Sequence, residues 1–189
     1  SGCSLNFFSV ESLMKPPTQP GENGEVQKAF LKLMGDKNIQ LKAPQNGEYQ
    51  TAFILRDLNG DNSDEAIVFY TDSSVDATVR MSLLECVNDT WVICADIKGS
   101  GNGVQDVSFS DYDEDGSFEI FVGWSLFDSK SSKIVKVYGV TLGKNGIYEM
   151  NTLGNEYYSM KSFIDVNGDN KKDLVLIYLD DTGETQRSF

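Results

Sequence analysis

Apolar and polar positions divide the chain into one helix-like segment and a long series of strand-like ones. Val26, Phe30, Leu33 and Met34 recur at i, i+4, i+7 and i+8, on one face of a helix. Asn23 is placed to cap its start and Gly35 to end it. A helix of about 12 residues is marginal alone, so the pattern predicts a cap packed over the edge or end of the following domain. Beyond it the period shortens. Strand-like runs at 49–55, 104–110 and 158–164 carry Leu55, Phe109 and Phe163 two places before an aspartate. Five-residue apolar runs follow at 66–70, 120–124 and 174–178. Two more strands fit after the first of these, 78–87 and 90–97 about Asn88-Asp89, and two after the second, 133–142 and 146–153 about Gly143-Lys144-Asn145.

Three acidic segments set the spacing. Asp57-Leu-Asn59-Gly-Asp61-Asn-Ser63-Asp-Glu65, Asp111-Tyr-Asp113-Glu-Asp115-Gly-Ser117-Phe-Glu119 and Asp165-Val-Asn167-Gly-Asp169-Asn-Lys171-Lys-Asp173 begin 54 residues apart, twice over. A repeat of this length with four short strands corresponds to one propeller blade. The expected fold is all-β, with β-propeller-like four-stranded blades, two full repeats plus part of a third, and one short N-terminal helix. Residues 1–22 read as an N-terminal tether, 23–46 as the capping helix and a connection, and 47–189 as the repeat domain. The last strand is expected to end near Asp180-Asp181-Thr182-Gly183, in a hairpin-like turn. Propellers close with about four or more blades. Three routes therefore stay open: part of a longer propeller, an open array with covered edges, or completion by another chain.

The loops carry the candidate chemistry. Positions 1, 3, 5 and 9 all bear side-chain oxygen: Asp57, Asn59, Asp61 and Glu65; Asp111, Asp113, Asp115 and Glu119; Asp165, Asn167, Asp169 and Asp173. Position 7, Ser63, Ser117 or Lys171, can add a backbone carbonyl. Calcium takes six to eight oxygens at about 2.3–2.6 Å in flexible geometry, whereas magnesium demands a stricter octahedron. Position 6 is Asn62, Gly116 or Asn170, which tolerate the left-handed backbone of a sharp turn. Carboxylates packed this closely repel one another without a cation. Polar Asx turns also favour Asp, Asn and Gly, but three such loops in register point to Ca2+, up to three per chain. An EF-hand needs a glutamate at position 12, where this chain has Val68, Val122 and Leu176 inside apolar runs.

Composition narrows the remaining classes. The 189 residues include 16 basic and 29 acidic side chains, for a net charge of −13, with no histidine and three cysteines. Histidine-dependent nucleophiles and ligands are excluded, as is a four-cysteine zinc site. The charge disfavours nucleic acid and anionic membrane surfaces. Residues 57–65 carry −4, residues 111–119 carry −5 and residues 165–173 carry −1, so the acidity is concentrated in the loops. The second loop is expected to bind a cation most tightly.

The pattern Asp-x-(Asp/Asn)-x-Asp-x-x-x-(Asp/Glu) between two strands resembles the FG-GAP or VCBS repeats of integrin α-subunit propellers and many bacterial surface proteins. The resemblance covers roughly residues 49–178. It implies a β-propeller whose inner strand runs into each calcium loop. The phenylalanine-glycine and glycine-alanine-proline signatures of integrin repeats are missing, with Gly123-Trp124 their nearest remnant. The repeat class is implied, not the integrin function. Ser1-Gly2-Cys3-Ser4 resembles the lipobox that ends a bacterial lipoprotein signal, with Pro16, Pro17, Pro20, Gly21 and Gly24 following as a tether. That implies a lipid anchor at Cys3 on the extracellular face of a bacterial membrane.

Other motifs have plainer readings. Asp181-Thr182-Gly183 is a single triplet where an aspartic protease needs a pair. Trp91 and Trp124 sit in strand patterns and read as core. Gly99-Ser-Gly-Asn-Gly103 leads into a strand, which excludes a phosphate loop. A two-residue turn at Asn88-Asp89 would set Cys86 opposite Trp91 and not Cys94; a different register in an oxidising setting would allow a Cys86–Cys94 disulfide, and two separate buried thiols are the other reading. The expected function is a non-enzymatic, calcium-binding cell-surface module recognising a protein or glycan. The alternatives are a piece of a carboxylate-dependent hydrolase, or an assembly module completed by another chain as an oligomer.

Overall fold

A computed structural model describes residues 22–127, 133–144, 146, 148–179 and 185–188. Cys3, the Pro/Gly tether up to residue 21 and the Asp181-Thr182-Gly183 turn lie outside the described residues. Among the described residues, 54% lie in strands, so these residues are mostly β with one short helix.

The helix, α1 (Glu22–Met34), starts within one residue of the expected Asn23. Gly35 ends it as expected, with φ 62° and its N–H donating to Leu31 O at 3.2 Å. Val26, Phe30 and Met34 are buried, but Leu33 is 48% exposed, contrary to the expected face. The buried stripe turns instead toward Gln27 and half-buried Leu31, which leaves Leu33 on its outer margin.

The strands form antiparallel sheets. In the first, β1 (Ile39–Leu41) and β2 (Phe53–Arg56) lie end to end along one edge of β3 (Glu65–Asp72), followed by β4 (Arg80–Val87) and β5 (Thr90–Lys98). β1 falls in the stretch read as a connection, because three residues are too short to show a period. Asn88 and Asp89 both take positive φ, 50° and 60°. That is the left-handed pair a two-residue hairpin favours, and it places Cys86 opposite Trp91 as expected. Cys94 falls at the irregularity beside Leu83 and Leu84, where its Sγ donates to Leu83 O at 3.3 Å. Both thiols are free. Cys94 is half-buried, and burial pushes it up to about 11, whereas Cys86 is exposed and not buried as expected, near the hairpin end.

The second sheet is the meander β6 (Gly103–Ser110), β7 (Glu119–Ser125), β8 (Lys133–Leu142) and β9 (Tyr148–Tyr158). β9 runs past the expected end at 153 and takes Tyr158 from the next strand, because β8 offers partners as far as Lys133, opposite Tyr158. The third sheet is β10 (Met160–Ile164), β11 (Asp173–Leu179) and β12 (Thr185–Ser188). β12 lies beyond the expected last strand and pairs with β11 from Leu179↔Thr185 to Leu176↔Ser188. Among the described residues, no sheet closes on itself.

Packing stacks these elements in layers. Every residue of β3 is buried: Ala66, Val68 and Tyr70 pack with α1, while Ile67 and Phe69 join the core shared with the second sheet. This explains a continuous apolar run where a half-exposed strand would alternate. Phe30 meets Phe53 and Tyr70 edge-on at 6.0 and 5.1 Å. Between the first two sheets, Phe69 meets Trp124 at 5.9 Å. The glycine-rich segment wraps this ring, since a Cβ at Gly99 would fall 2.5 Å from it. Between the second and third sheets the buried cluster is smaller: Phe121, Val135, Tyr158 and Leu176, with Phe163 edge-on to Phe121 at 5.2 Å.

The helix's corrected face gives a direct test by denaturant unfolding. Phe30→Ala should cost about 3–5 kcal/mol, and Leu33→Ala less than about 1 kcal/mol. Equal losses would contradict this packing.

Candidate metal centre

Strand pairing places the three acidic loops identically. The residue before each first aspartate pairs with loop position 9: Arg56↔Glu65, Ser110↔Glu119 and Ile164↔Asp173. Each loop therefore spans the same gap between two antiparallel strands.

The internal bonding repeats as well. The position 9 carboxylate accepts the position 2 N–H in all three: Leu58 to Glu65 at 2.9 Å, Tyr112 to Glu119 at 2.7 Å and Val166 to Asp173 at 3.0 Å. The position 1 aspartate accepts the position 6 N–H: Asn62 to Asp57 at 2.9 Å, Gly116 to Asp111 at 3.2 Å and Asn170 to Asp165 at 2.8 Å. Position 3 accepts from position 5: Asp61 N to Asn59 at 2.8 Å, Asp115 N to Asp113 at 3.3 Å and Asp169 N to Asn167 at 2.9 Å. Position 5 accepts from position 7, where Ser63, Ser117 and Lys171 each donate at 2.8 Å.

Two turns in each loop are left-handed. Position 6 has φ of 67° at Asn62, 91° at Gly116 and 68° at Asn170, as its residue types suggest. Position 4 also has positive φ, at Gly60, Glu114 and Gly168. The sequence reading missed it, although glycine in two of the three loops was a signal. Glu114 bears the strain without glycine's freedom, at a cost of about 1–2 kcal/mol.

The second loop also differs in its bonding. Asp57 and Asp165 also accept the position 4 N–H, from Gly60 at 2.7 Å and Gly168 at 2.6 Å. In the second loop the corresponding oxygen, Asp111 Oδ1, is buried with no hydrogen-bond partner. Asp111, Asp113 and Asp115 place carboxylate oxygens within 4.8 Å of one another, a three-acid group that could hold a metal ion. A carboxylate offers about four acceptor positions, so backbone donors leave capacity for a cation. In the first loop, Asn59 Nδ2 reaches Glu65 at 3.1 Å and Tyr148 OH at 2.8 Å, tying the loop to β9.

The loops are neighbours at one end of the stack. Phe118 N donates to Leu58 O at 2.8 Å, joining the first two, and Lys171 pairs with Glu114 across the second and third. A groove of about 640 Å³ opens between the second and third sheets. Phe121, Val137, Leu174 and Leu176 line its apolar part, with Asp113 and Asp173 beside them.

Burial shifts two of the position 9 acids. Glu65 is only 2% exposed, and burial pushes it up to about 7 against the Leu58 N–H, with the Asp61 and Asp57 charges adding to the rise. Glu119 is pushed up for the same first reason. Compared with protein-family models, curated proteins and solved structures, the chain matches none.

A group whose folded value lies above its unfolded one favours the folded state while protonated. Without a divalent cation, stability should thus be greatest below about pH 4.5 as far as Glu65 is concerned, and fall as pH rises toward about 7. Chelator-treated protein unfolded in denaturant across this range tests the sign. Glu65→Gln should flatten the slope, and an unchanged slope would contradict the assignment.

Proposed function

We propose that this chain is a calcium-binding, β-propeller-like repeat module at a bacterial cell surface, structural and recognitive and not enzymatic. The observation that supports it most is the second loop, where an unpartnered buried Asp111 oxygen sits within a cluster of three aspartates. The same bonding scheme recurs in the other two loops, so one cation-dependent turn per repeat is the economical reading, with up to three ions. Position 9 closes each loop at the first residue of the outgoing strand. The ion would offset carboxylate repulsion and fix the turn that joins the first two strands of each repeat.

On this reading the sheets are successive four-stranded blades, the first with β1 and β2 sharing one strand's place and the third incomplete. Cys3 carries a lipid anchor, and residues up to 22 hold the domain off the membrane. The groove beside the second and third loops is a seat for a protein or glycan ligand.

A thermal melt tests the calcium reading. The melting temperature should rise with the logarithm of calcium concentration once sites fill, and drop in EDTA. Magnesium should raise it less. Identical melts in EDTA and millimolar calcium would overturn the proposal.

A further inference from the structure

We propose that Lys161 and Asp106 are joined by an intramolecular amide bond between Lys161 Nζ and Asp106 Cγ, a covalent cross-link between the third and second sheets. Lys161 lies on β10 and Asp106 on β6, at the register shift where β6 pairs with Gly123 of β7. Their side chains are 8% and 21% exposed and meet in an ion-pair contact between Nζ and Oδ1. Yet neither atom completes a directed hydrogen bond with any partner. The nitrogen is thus held against the carboxyl group without the alignment of an ordinary charged hydrogen bond.

The surroundings favour condensation. The Phe163 ring lies 5.7 Å from Nζ, and buried Tyr158 donates its hydroxyl to Asp106 Oδ2 at 3.4 Å. Gly123 makes room for this group, since a Cβ there would collide with the Tyr158 hydroxyl. Lys133 stacks on the far part of the assembly, 5.9 Å from the Tyr158 ring. Removing two charges from water carries a desolvation penalty, which their attraction repays only with good geometry. An amide carries no charge and removes that cost.

The step balances without an oxidant or co-reactant. A proton passes from the ammonium to Asp106 Oδ1, leaving a neutral amine and acid. The Nζ lone pair attacks Cγ, and the developing charge on Oδ2 meets the Tyr158 hydroxyl. Oδ1 takes a second proton from Nζ and leaves as water, so the Cγ–Oδ1 bond breaks as the Nζ–Cγ bond forms. Both hydrogens of the water come from Nζ, which keeps one as the amide N–H. The link would secure the seam whose apolar cluster is the smaller of the two between sheets, in a chain whose Cys86 and Cys94 are free.

Intact-mass measurement of the denatured, purified chain tests this. The expected mass is lighter than the sequence mass by one water, with proteolysis releasing a branched pair of fragments that contain Asp106 and Lys161. Lys161→Arg and Asp106→Ala should restore the full sequence mass, and Tyr158→Phe should slow the appearance of the linked species. A wild-type chain at its full mass overturns the proposal even if a variant fails to fold. So does a water loss that maps elsewhere, such as cyclisation at Asp115-Gly116.

Discussion

Each repeat depends on one costly turn. Between its first two strands the chain reverses through nine residues that gather carboxylates at alternate positions. Backbone N–H groups meet part of the cost, because in every loop position 2 donates to the position 9 acid and position 6 to the position 1 aspartate, from Leu58 to Glu65 through Val166 to Asp173. They do not neutralise charge. The shortfall is clearest in the second loop, where Glu114 occupies a left-handed position that glycine fills in the other two, and Asp111 Oδ1 is left without a partner.

The turn also sets the phase of the strand that follows it. Because position 9 opens the second strand in each case, the following apolar run starts in the same phase. Alternate residues of β3 and β7 then face opposite neighbours. Leu58, at position 2 of the first loop, is buried in the core between the first two sheets. Its counterparts Tyr112 and Val166 are 65% and 48% exposed and line the groove between the second and third sheets. The same position thus plugs one intersheet gap and leaves the next open, which is why a cavity lies beside the acidic loops.

Much of this architecture was legible in the order of residues. The 54-residue spacing located the loops, the apolar runs located β3, β7 and β11, and Asn88-Asp89 set a register that the pairing of Cys86 with Trp91 bears out. What stayed hidden was either too short or too dependent on neighbours. β1 has three residues, and its pairing with Tyr70–Asp72 is a tertiary contact without a local period. The Leu33 error arose because helical spacing defines a stripe but not which margin the sheet covers. Within the site, positions 1, 3, 5 and 9 were visible as oxygen-bearing residues, whereas the left-handed position 4 was masked by Glu114. The Lys161–Asp106 contact joins residues from different repeats, so no spacing rule pointed to it.

Calcium titration by calorimetry, on the wild-type chain and on Asp113→Asn, separates an ion-bound second loop from a merely polar turn. That substitution converts the second loop's third position to the amide found in the other two loops. Saturable calcium binding is expected, with its tightest event selectively weakened in the variant. No binding heat in the wild type, or a tightest event that the substitution leaves unchanged, would contradict it.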